Sequence, residues 1–472
     1  MATTTTPSVD EIRRDSEKRG IEFYFAQFVD MYARPSAKLV PAANLDDLVA
    51  DGAGFAGFAA GELGQVPSDP DIAAMPDLAS YTPVPWQPNL ARFACDVHVE
   101  GEEWPYDPRT ILRRQLERAR EKGFEFMMGL ELEYFLVRPV EVGVVRNGGI
   151  EVSRDGLARI DRIELADPLD TLEKPCYDLK GLTRNYEFLT TVSRYVNELG
   201  WGNYANDHED ANGQFEQNFT YTDALTSCDR AIFFRYMVHT LAQQRGLLAT
   251  FMPKPFSHLT GNGCHFHMSL WDGDRNVFLD DDDPRGLGLS DVAYHFVGGL
   301  KKHAKSYIAV TAPTVNSYKR LRVGAPTSGA TWSPVYVTYG YNNRTQMLRI
   351  PGPGRVEDRT IDGACNPYLA ATVVLAAGLD GIENGVDPGD PNPGNLYEAS
   401  EEELKRSGVE LLPANLLDAT RELERNEVMR EALGRGRRED YVDYFVRVKR
   451  DEWTRYHEQV TPWEINEYLT RF

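Results

Sequence analysis

The chain has 472 residues, of which 42% are hydrophobic and 11% aromatic, and its formal net charge is −21. This length and composition suit a globular protein with two domains, or one large domain with an appendage. The negative charge argues against a nucleic-acid-binding surface, which would be basic, and it disfavours anionic membranes.

The first hundred residues are predicted to form a small unit of short strands. Residues 1–15 are expected to be a disordered tail, and residues 16–105 a first domain whose stretch at 51–90 is mostly loop. Asp107 is a plausible helix N-cap, because Pro108 follows at the first helical position and apolar residues then recur at helical spacing. Residues 106–472 are therefore predicted to form the second domain.

The second domain is predicted to mix long strands with helices. Strands are expected at 124–137, 265–270, 332–339 and 344–361. Helices are expected at 108–122, 184–199, 223–249, 290–305, 366–382 and over most of the last 70 residues. Five scattered cysteines and the lack of a leader-like N-terminus predict reduced thiols in a cytoplasmic protein. No apolar run approaches the roughly 18 residues of a membrane span.

Four strand-like stretches carry acidic, imidazole or guanidinium groups on alternate residues. They contain Glu131 and Glu133, Glu216, His265 and His267, and Arg355, Glu357 and Arg359. Residues two apart in a strand share one face, so each stretch has a polar edge. Four such edges predict a shared polar cavity.

The residue types on these edges suit metal ions and phosphate. The candidate metal ligands are Glu131, Glu133, Glu209, Glu216, His265 and Glu357. Mg²⁺ and Mn²⁺ prefer oxygen ligands, and Mn²⁺ tolerates an imidazole. Five clustered carboxylates would repel one another without cations, so two or three ions are expected. The arginines between Arg344 and Arg359 suit phosphate oxygens. Spacing alone therefore predicts metal-dependent phosphoryl transfer or ligation, without naming the substrate.

The same residues resemble the glutamine synthetase family. The matching stretches follow the family order across residues 124–385 and include Gly129-Leu-Glu-Leu-Glu-Tyr-Phe, His208-Glu209, Met252-Pro-Lys-Pro-Phe, Gly261-Asn-Gly-Cys-His-Phe-His-Met-Ser-Leu, Asn316-Ser-Tyr-Lys-Arg-Leu and Arg355-Val-Glu-Asp-Arg. The resemblance implies an α+β fold: an N-terminal β-grasp domain and a catalytic domain with a curved antiparallel sheet flanked by helices. It also implies a dodecamer of two hexameric rings with active sites between subunits.

The resemblance further implies a reaction and its residues. ATP phosphorylates the γ-carboxylate of glutamate, and an amine then displaces phosphate to give a γ-glutamyl amide. One metal is expected on Glu133, Glu209 and Glu216, and a second on Glu131, His265 and Glu357. ATP is expected to contact Tyr221, His267, Ser269, Arg349 and Arg355. Glutamate is expected to contact Gly261, His265, Arg320, Arg344 and Arg359, and the three arginines of that set are the catalytic candidates.

Two departures from the family pattern concern the amine. Ala56 stands where the N-terminal domain of the family carries an ammonium-binding Asp, and Gly324 stands where its flap carries a Glu. Both changes remove charge and open space, so the acceptor is expected to be a primary alkylamine such as methylamine. The alternatives are an ordinary glutamine synthetase that uses ammonia and a non-catalytic structural relative, although all six metal ligands are retained. Tyr397 resembles a loop tyrosine that is adenylylated in some bacterial members, or it is simply an exposed loop residue.

Overall fold

The computed structural model describes residues 6–140, 145–146, 149–150, 162–323 and 333–472. The strands in these ranges are β1 Phe23–Val29, β2 Pro35–Pro41, β3 Ala53–Phe55, β4 Ile72–Pro76, β5 Thr82–Pro83, β6 Leu90–Val99, β7 Glu102–Glu103, β8 Glu125–Pro139, β9 Val145–Arg146, β10 Gly149–Ile150, β11 Ile163–Leu165, β12 Asn203–His208, β13 Gln214–Phe219, β14 Thr222–Asp223, β15 Leu248–Thr250, β16 Cys264–Asp272, β17 Arg275–Asn276, β18 Tyr339–Tyr341, β19 Leu348–Gly352 and β20 Arg355–Asp358.

The helices in the same ranges are α1 Val9–Arg19, α2 Leu45–Asp51, α3 Gly57–Ala60, α4 Pro108–Glu121, α5 Leu179–Arg184, α6 Tyr186–Glu198, α7 Ala224–Gln243, α8 Asp291–Thr311, α9 Ser317–Arg320, α10 Pro367–Glu383, α11 Glu401–Arg406, α12 Leu416–Glu424, α13 Glu427–Leu433, α14 Tyr441–His457 and α15 Pro462–Tyr468. Short 3₁₀ turns lie at Ala42–Asn44 and Leu78–Ser80. None of the described helices is both long and apolar enough to cross a bilayer.

The N-terminal sheet is mixed, with the strand order β2-β1-β6-β4-β3. Strand β1 pairs parallel with β6 and antiparallel with β2. Helix α1 precedes this sheet, and the predicted disorder of residues 1–15 is wrong from Ser8 onward. Ser8 and Glu11 form a reciprocal capping box that satisfies the free backbone donors at the start of the helix, and Ile12 is buried. Ser16 is also buried, and its hydroxyl lies 2.7 Å from the Tyr24 hydroxyl, so packing and a hydrogen bond both hold the helix against the sheet.

The large sheet has the central order β12-β13-β8-β16-β20-β19-β18. Strand β8 is its long central strand and pairs antiparallel with β13 and β16. Helix α7 packs against β8, and α10 packs against α8 and α4, so the apolar side of the sheet is covered by helices. The mixture of helices and curved sheets confirms the predicted α+β class. One pair, β18 with β19, is parallel rather than antiparallel.

Three predicted elements differ in their bounds. The helix expected at 223–249 ends at Gln243, since Gly246 adopts a positive φ of 69° and the chain then joins β8 as β15. The strand expected at 344–361 is a hairpin that turns at Gly354, where φ is 68°. The strand expected at 332–339 begins only at Tyr339 within the described residues, because the preceding segment pairs elsewhere, through an isolated bridge between Tyr336 and Leu411.

Candidate active site

Strand register brings the predicted polar edges together on one face of the large sheet. His265 lies opposite Glu131 across β16 and β8. On the two flanking pairs, Glu357 lies opposite His267, and Glu216 lies opposite Glu133. Because the register places all four strands in one continuous ladder, side chains far apart in the sequence meet above the middle of the sheet.

The carboxylates and imidazoles of this face are in direct contact range. The Nδ1 atom of His265 lies 3.4 Å from Glu131 Oε2 and 3.8 Å from Glu357 Oε1. Its Nε2 atom lies 3.7 Å from Glu133 Oε1. The Nε2 atom of His267 lies 2.8 Å from Glu131 Oε1. The structure therefore brings together four of the six predicted metal ligands, namely Glu131, Glu133, His265 and Glu357.

Two groups of donor atoms are close enough to share a cation. Glu131, Glu216 and His265 each offer an atom within 4.8 Å of the others, and so do Glu131, His267 and Glu357. Both groups differ from the predicted sets. Glu131 and His265 rather than Glu133 and Glu209 join Glu216, and His267 rather than His265 joins Glu131 and Glu357. Oxygen donors with one imidazole suit a hard divalent cation, so the residues fit such an ion.

The charge balance of the cluster also fits a cation. Burial, and then the charges of Glu131, Glu209 and Glu133, raise the pKa of Glu216 well above its usual range. Burial, followed by Glu133 and Asp207, raises the pKa of Glu209 to about 8. The raised pKa values favour the protonated form of both acids when no cation is bound, and a divalent cation would replace those protons.

The other side of the cluster is dominated by positive charge. Burial alone would raise the pKa of Glu357, but Arg359, His267 and His265 outweigh it and hold that pKa at about 2. Arg359 donates to Glu357, and Arg349 Nη1 donates to its other oxygen at 2.8 Å. Glu357 is therefore an ionised carboxylate that lies between two arginines and two imidazoles.

Metal-free protein should lose stability as pH rises from about 5 to about 8. The pKa values of Glu209 and Glu216 are raised on folding, so the folded state binds more protons than the unfolded state in that window, and the free energy of unfolding falls with pH. Calorimetric Tm values in EDTA should fall across this range, and Mg²⁺ should reduce the fall. A Tm in EDTA that does not change between these pH values would contradict the raised pKa values.

The remaining predicted arginines lie around the cluster. Arg320 is buried, and its guanidinium donates to the backbone carbonyls of Thr360 and Arg359 at 3.0 and 3.1 Å. Burial, then the charges of Arg349 and Arg359, lowers the pKa of Arg344, which places its guanidinium in the same positive group. The arginines near the carboxylate cluster are thus Arg320, Arg344, Arg349 and Arg359.

A cavity of about 460 Å³ opens beside the cluster. The predicted nucleotide residues that line it are Tyr221, His267, Ser269 and Arg355. Apolar walls are supplied by Met127, Phe219, Met268 and Trp271, and Glu131 stands at its inner end. Arg349 is not among its lining residues and instead contacts Glu357 and Asn342. A flat apolar cavity next to charged groups can hold a planar ring at one end and phosphates at the other.

Two glycines bring backbone close to the cluster. A Cβ atom on Gly261 would lie 2.2 Å from the carbonyl oxygen of Pro253, so only glycine fits there. A Cβ atom on Gly263 would lie 2.6 Å from His265 Nε2, and the Gly263 N–H donates to Glu133 Oε2 at 2.6 Å. Gly261, a predicted glutamate contact, therefore lies against Arg320 at the edge of the cluster.

Of the two predicted residues of the amine pocket, only Ala56 lies in the part of the chain that the structure describes. Ala56 is exposed at the start of the short helix α3 in the N-terminal sheet. Gly324 lies outside the described residues. Tyr397 is partly buried in the segment between α10 and α11, and its hydroxyl lies 3.5 Å from the carbonyl oxygen of Arg344.

Sequence reasoning missed several residues of this face. Asp207 lies opposite Glu216 on β12, so it adds another carboxylate, and its charge helps to raise the pKa of Glu209. The alternation rule that selected the glutamates also selects Asp207, because it stands two residues before Glu209. Gln214 donates to Glu133 Oε2 at 3.0 Å and holds that carboxylate in place. Burial, and then the charge of Glu209, raises the pKa of the Cys176 thiol.

The chain is similar to known proteins over almost its whole length. Residues 105–468 match the family model "Glutamine synthetase, catalytic domain". Over 466 residues, covering 98% of this chain and all of the relative, the chain is 46% identical to a glutamate–methylamine ligase of Methyloversatilis universalis. It is 42% identical to a glutamine synthetase of Rhizobium meliloti over 95% of this chain and 97% of the relative.

Two solved structures are also similar to this chain over nearly its whole length. A structure described as "GmaS/ADP complex-Conformation 1" superposes with a TM-score of 0.86 at 46% identity, covering 98% of this chain and 100% of that chain. A ligand-free GmaS structure superposes with a TM-score of 0.83 at 44% identity, covering 97% of this chain and 99% of that chain. A carboxylate–imidazole cluster beside arginines is chemically suited to a cation and to phosphate groups. The chain belongs to the glutamine synthetase family.

Proposed function

We propose that the protein is an ATP-dependent ligase that joins glutamate to methylamine through γ-glutamyl phosphate. The observation that carries this proposal is the assembled cluster of Glu131, Glu133, Glu216, His265 and Glu357 beside an open cavity. The full-length similarity to a glutamate–methylamine ligase supports methylamine as the acceptor. The similar structure that contains ADP supports the cavity as the nucleotide site.

The carboxylates and imidazoles would hold two or three Mg²⁺ or Mn²⁺ ions. We keep the predicted assignment of Glu133, Glu209 and Glu216 to one ion, and of Glu131, His265 and Glu357 to a second. Glu131 and His265 also lie close enough to Glu216 to contribute to the first ion, and His267 lies close enough to Glu131 and Glu357 to contribute to the second. When bound, the cations neutralise the phosphate oxygens and make the γ-phosphoryl group a better electrophile. Glu357 would remain ionised for this task, because Arg359 and the two imidazoles stabilise its charge.

The arginines would bind and orient the anionic substrates. Arg355 lines the cavity and is placed to contact phosphate oxygens, while Arg349 and Arg359 flank Glu357 at its inner end. Arg320 and Arg344 would hold the carboxylates of glutamate near Gly261, where only a glycine fits. Fixed guanidinium groups stabilise the charge that moves between phosphate and acyl oxygen without reorganising during the reaction.

The amine would enter between subunits of a ring assembly. Ala56 is exposed in the single chain, so it is available to a neighbouring subunit of a dodecamer. With Ala56 and Gly324 in place of acids, the acceptor pocket has room and apolar surface for a methyl group. The alternative acceptor, ammonia, has four donors and is better held by acidic walls.

An amine panel tests the acceptor directly. The rate of phosphate release with ATP, glutamate and Mg²⁺ would be measured against ammonium, methylamine, ethylamine, ethanolamine and putrescine. We expect kcat/KM for methylamine to exceed that for ammonium by about 10- to 100-fold, since one methyl group in a fitted pocket contributes about 1–3 kcal/mol. A higher kcat/KM for ammonium would identify an ordinary glutamine synthetase. No release with any amine would favour a non-catalytic relative.

A further inference from the structure

A buried histidine–aspartate pair stands directly behind Glu209. His208 and Asp170 have fully buried side chains, and His208 Nε2 lies 2.7 Å from Asp170 Oδ2. The other ring nitrogen, Nδ1, lies 2.9 Å from the backbone carbonyl oxygen of Glu209. A carboxylate and a carbonyl only accept hydrogen bonds, so both nitrogens of His208 donate and the ring is a doubly protonated imidazolium.

Asp170 also accepts hydrogen bonds from the far end of the loop that begins at Glu209. The loop at 209–213 joins β12 to β13 and carries Glu209 at its start. The Gly213 N–H donates to Asp170 Oδ2 at 2.6 Å, and the Asn212 side-chain amide donates to Asp170 Oδ1 at 3.0 Å. Asp170 accepts all of these bonds as a carboxylate. The pair therefore fixes the loop both at Glu209 and at Gly213.

The ring of His208 has no room to turn. A Cβ atom on Gly181 would lie 2.4 Å from His208 Cδ2, so the start of helix α5 packs directly on the ring. The Phe215 ring meets it edge-to-face, with centroids 5.1 Å apart. The backbone N–H of Tyr177 donates to the His208 carbonyl oxygen at 2.9 Å. The imidazolium is thus held in one orientation by packing as well as by hydrogen bonds.

We propose that His208 and Asp170 are positioning residues that fix the Glu209 carboxylate for cation binding. This inference rests on the proposed role of Glu209 as a metal ligand. Groups that hydrogen-bond behind a metal ligand commonly change metal affinity 10- to 100-fold when they are replaced. Here the pair holds the backbone of the ligand rather than its carboxylate, so it controls how Glu209 is aimed and leaves its oxygens available.

The experiment compares Asp170→Asn with a matched pair elsewhere in the chain. His303 Nε2 lies 2.8 Å from Asp380 Oδ2, and its Nδ1 lies 2.9 Å from the side-chain nitrogen of Asn426, outside the predicted site residues. Asp380→Asn therefore removes the same kind of carboxylate–imidazole contact. Mn²⁺ binding to the metal-free full-length protein would be measured by titration calorimetry, with Tm in EDTA measured in parallel.

We expect Asp170→Asn to raise the Mn²⁺ Kd about tenfold or more, whereas Asp380→Asn leaves the Kd within about twofold of the wild type. At saturating metal, kcat of Asp170→Asn should recover most of the wild-type value, because the pair positions a ligand and does not touch substrate. Equal losses of Tm with an unchanged Kd would show that the pair is only structural, and would overturn the inference.

Two further measurements keep the test decisive. If Asp170→Asn does not fold, His208→Asn provides the second variant, since its amide can still donate to the Glu209 carbonyl while losing Asp170. Its Mn²⁺ Kd is also expected to rise, and an unchanged Kd would overturn the inference. Wild-type protein that binds no Mn²⁺ would overturn both the proposed metal site and the inference, whereas wild-type binding with an unaffected Asp170→Asn would overturn the inference alone.

Discussion

Replacing Glu357 with glutamine should lower kcat about a thousandfold. Glu357 is fully buried between Arg349 and Arg359 and lies 3.8 Å from His265, so it neutralises the arginines and offers an anionic oxygen to a cation. Glutamine keeps the shape but removes the charge that both tasks need. Phosphate release at saturating ATP, glutamate and methylamine would measure the loss.

Asp358 provides the matched control for this variant. It is the next residue of β20, is equally buried and points to the opposite face, where it accepts from Tyr307 at 2.8 Å and from the Thr360 hydroxyl at 2.6 Å. Asp358→Asn should destabilise the protein by about 1–3 kcal/mol, because a buried donor loses its partner, but should leave kcat within a few fold. If Glu357→Gln retained more than about a tenth of the wild-type kcat, the proposed role of Glu357 would be wrong.

Replacing Ala56 with aspartate should shift the enzyme toward ammonium. The new carboxylate would stand where the family pattern carries an acid, and it would attract a small cation while filling the space that a methyl group needs. We expect kcat/KM for ammonium to rise about tenfold and that for methylamine to fall by a similar factor. The amine panel described above measures both changes.

The Ala56→Asp substitution should not destabilise the fold, so its effect on amine preference can be measured directly. Ala56 is the N-cap of α3 with an extended backbone and no side-chain cap, and aspartate is a favoured N-cap residue. Ala59→Asp adds the same charge at an exposed position on the same short helix and is the matched control. A shift of equal size with Ala59→Asp would show a general charge effect and would remove Ala56 from the acceptor pocket.

Alternation of polar residues predicted much of the site because the site lies on strands. Side chains two residues apart in a strand point to the same face, and this period identified the polar residues in the sequence. The same period places them on one face of the sheet, as it does for Glu131, Glu133, His265 and Glu357. The sequence could not show which residues become neighbours across strands. That depends on register, which is why the contact of His267 with Glu131 was not foreseen.

Residues that act through backbone geometry were the hardest to foresee. Gly263 donates to Glu133 and leaves no space for a side chain, yet a glycine in a loop gives no signal of that role in one sequence. Asp170 lies far from His208 in the chain and in a segment without periodic pattern, so only the folded structure reveals their contact. The tail prediction failed because threonine-rich composition hid the Ser8–Glu11 cap.

The ladder that unites β13, β8, β16 and β20 also has a consequence for biogenesis. The group of Glu131, Glu216 and His265 lies on β8, β13 and β16, whereas the group of Glu131, His267 and Glu357 also needs β20. A nascent chain that has not yet released β20 from the ribosome can therefore form only the first of these two groups. Such distant pairings raise the contact order of the domain, a property that goes with slower folding. A cation that binds the folded sheet and not the unfolded chain stabilises the domain more as its concentration rises above its Kd.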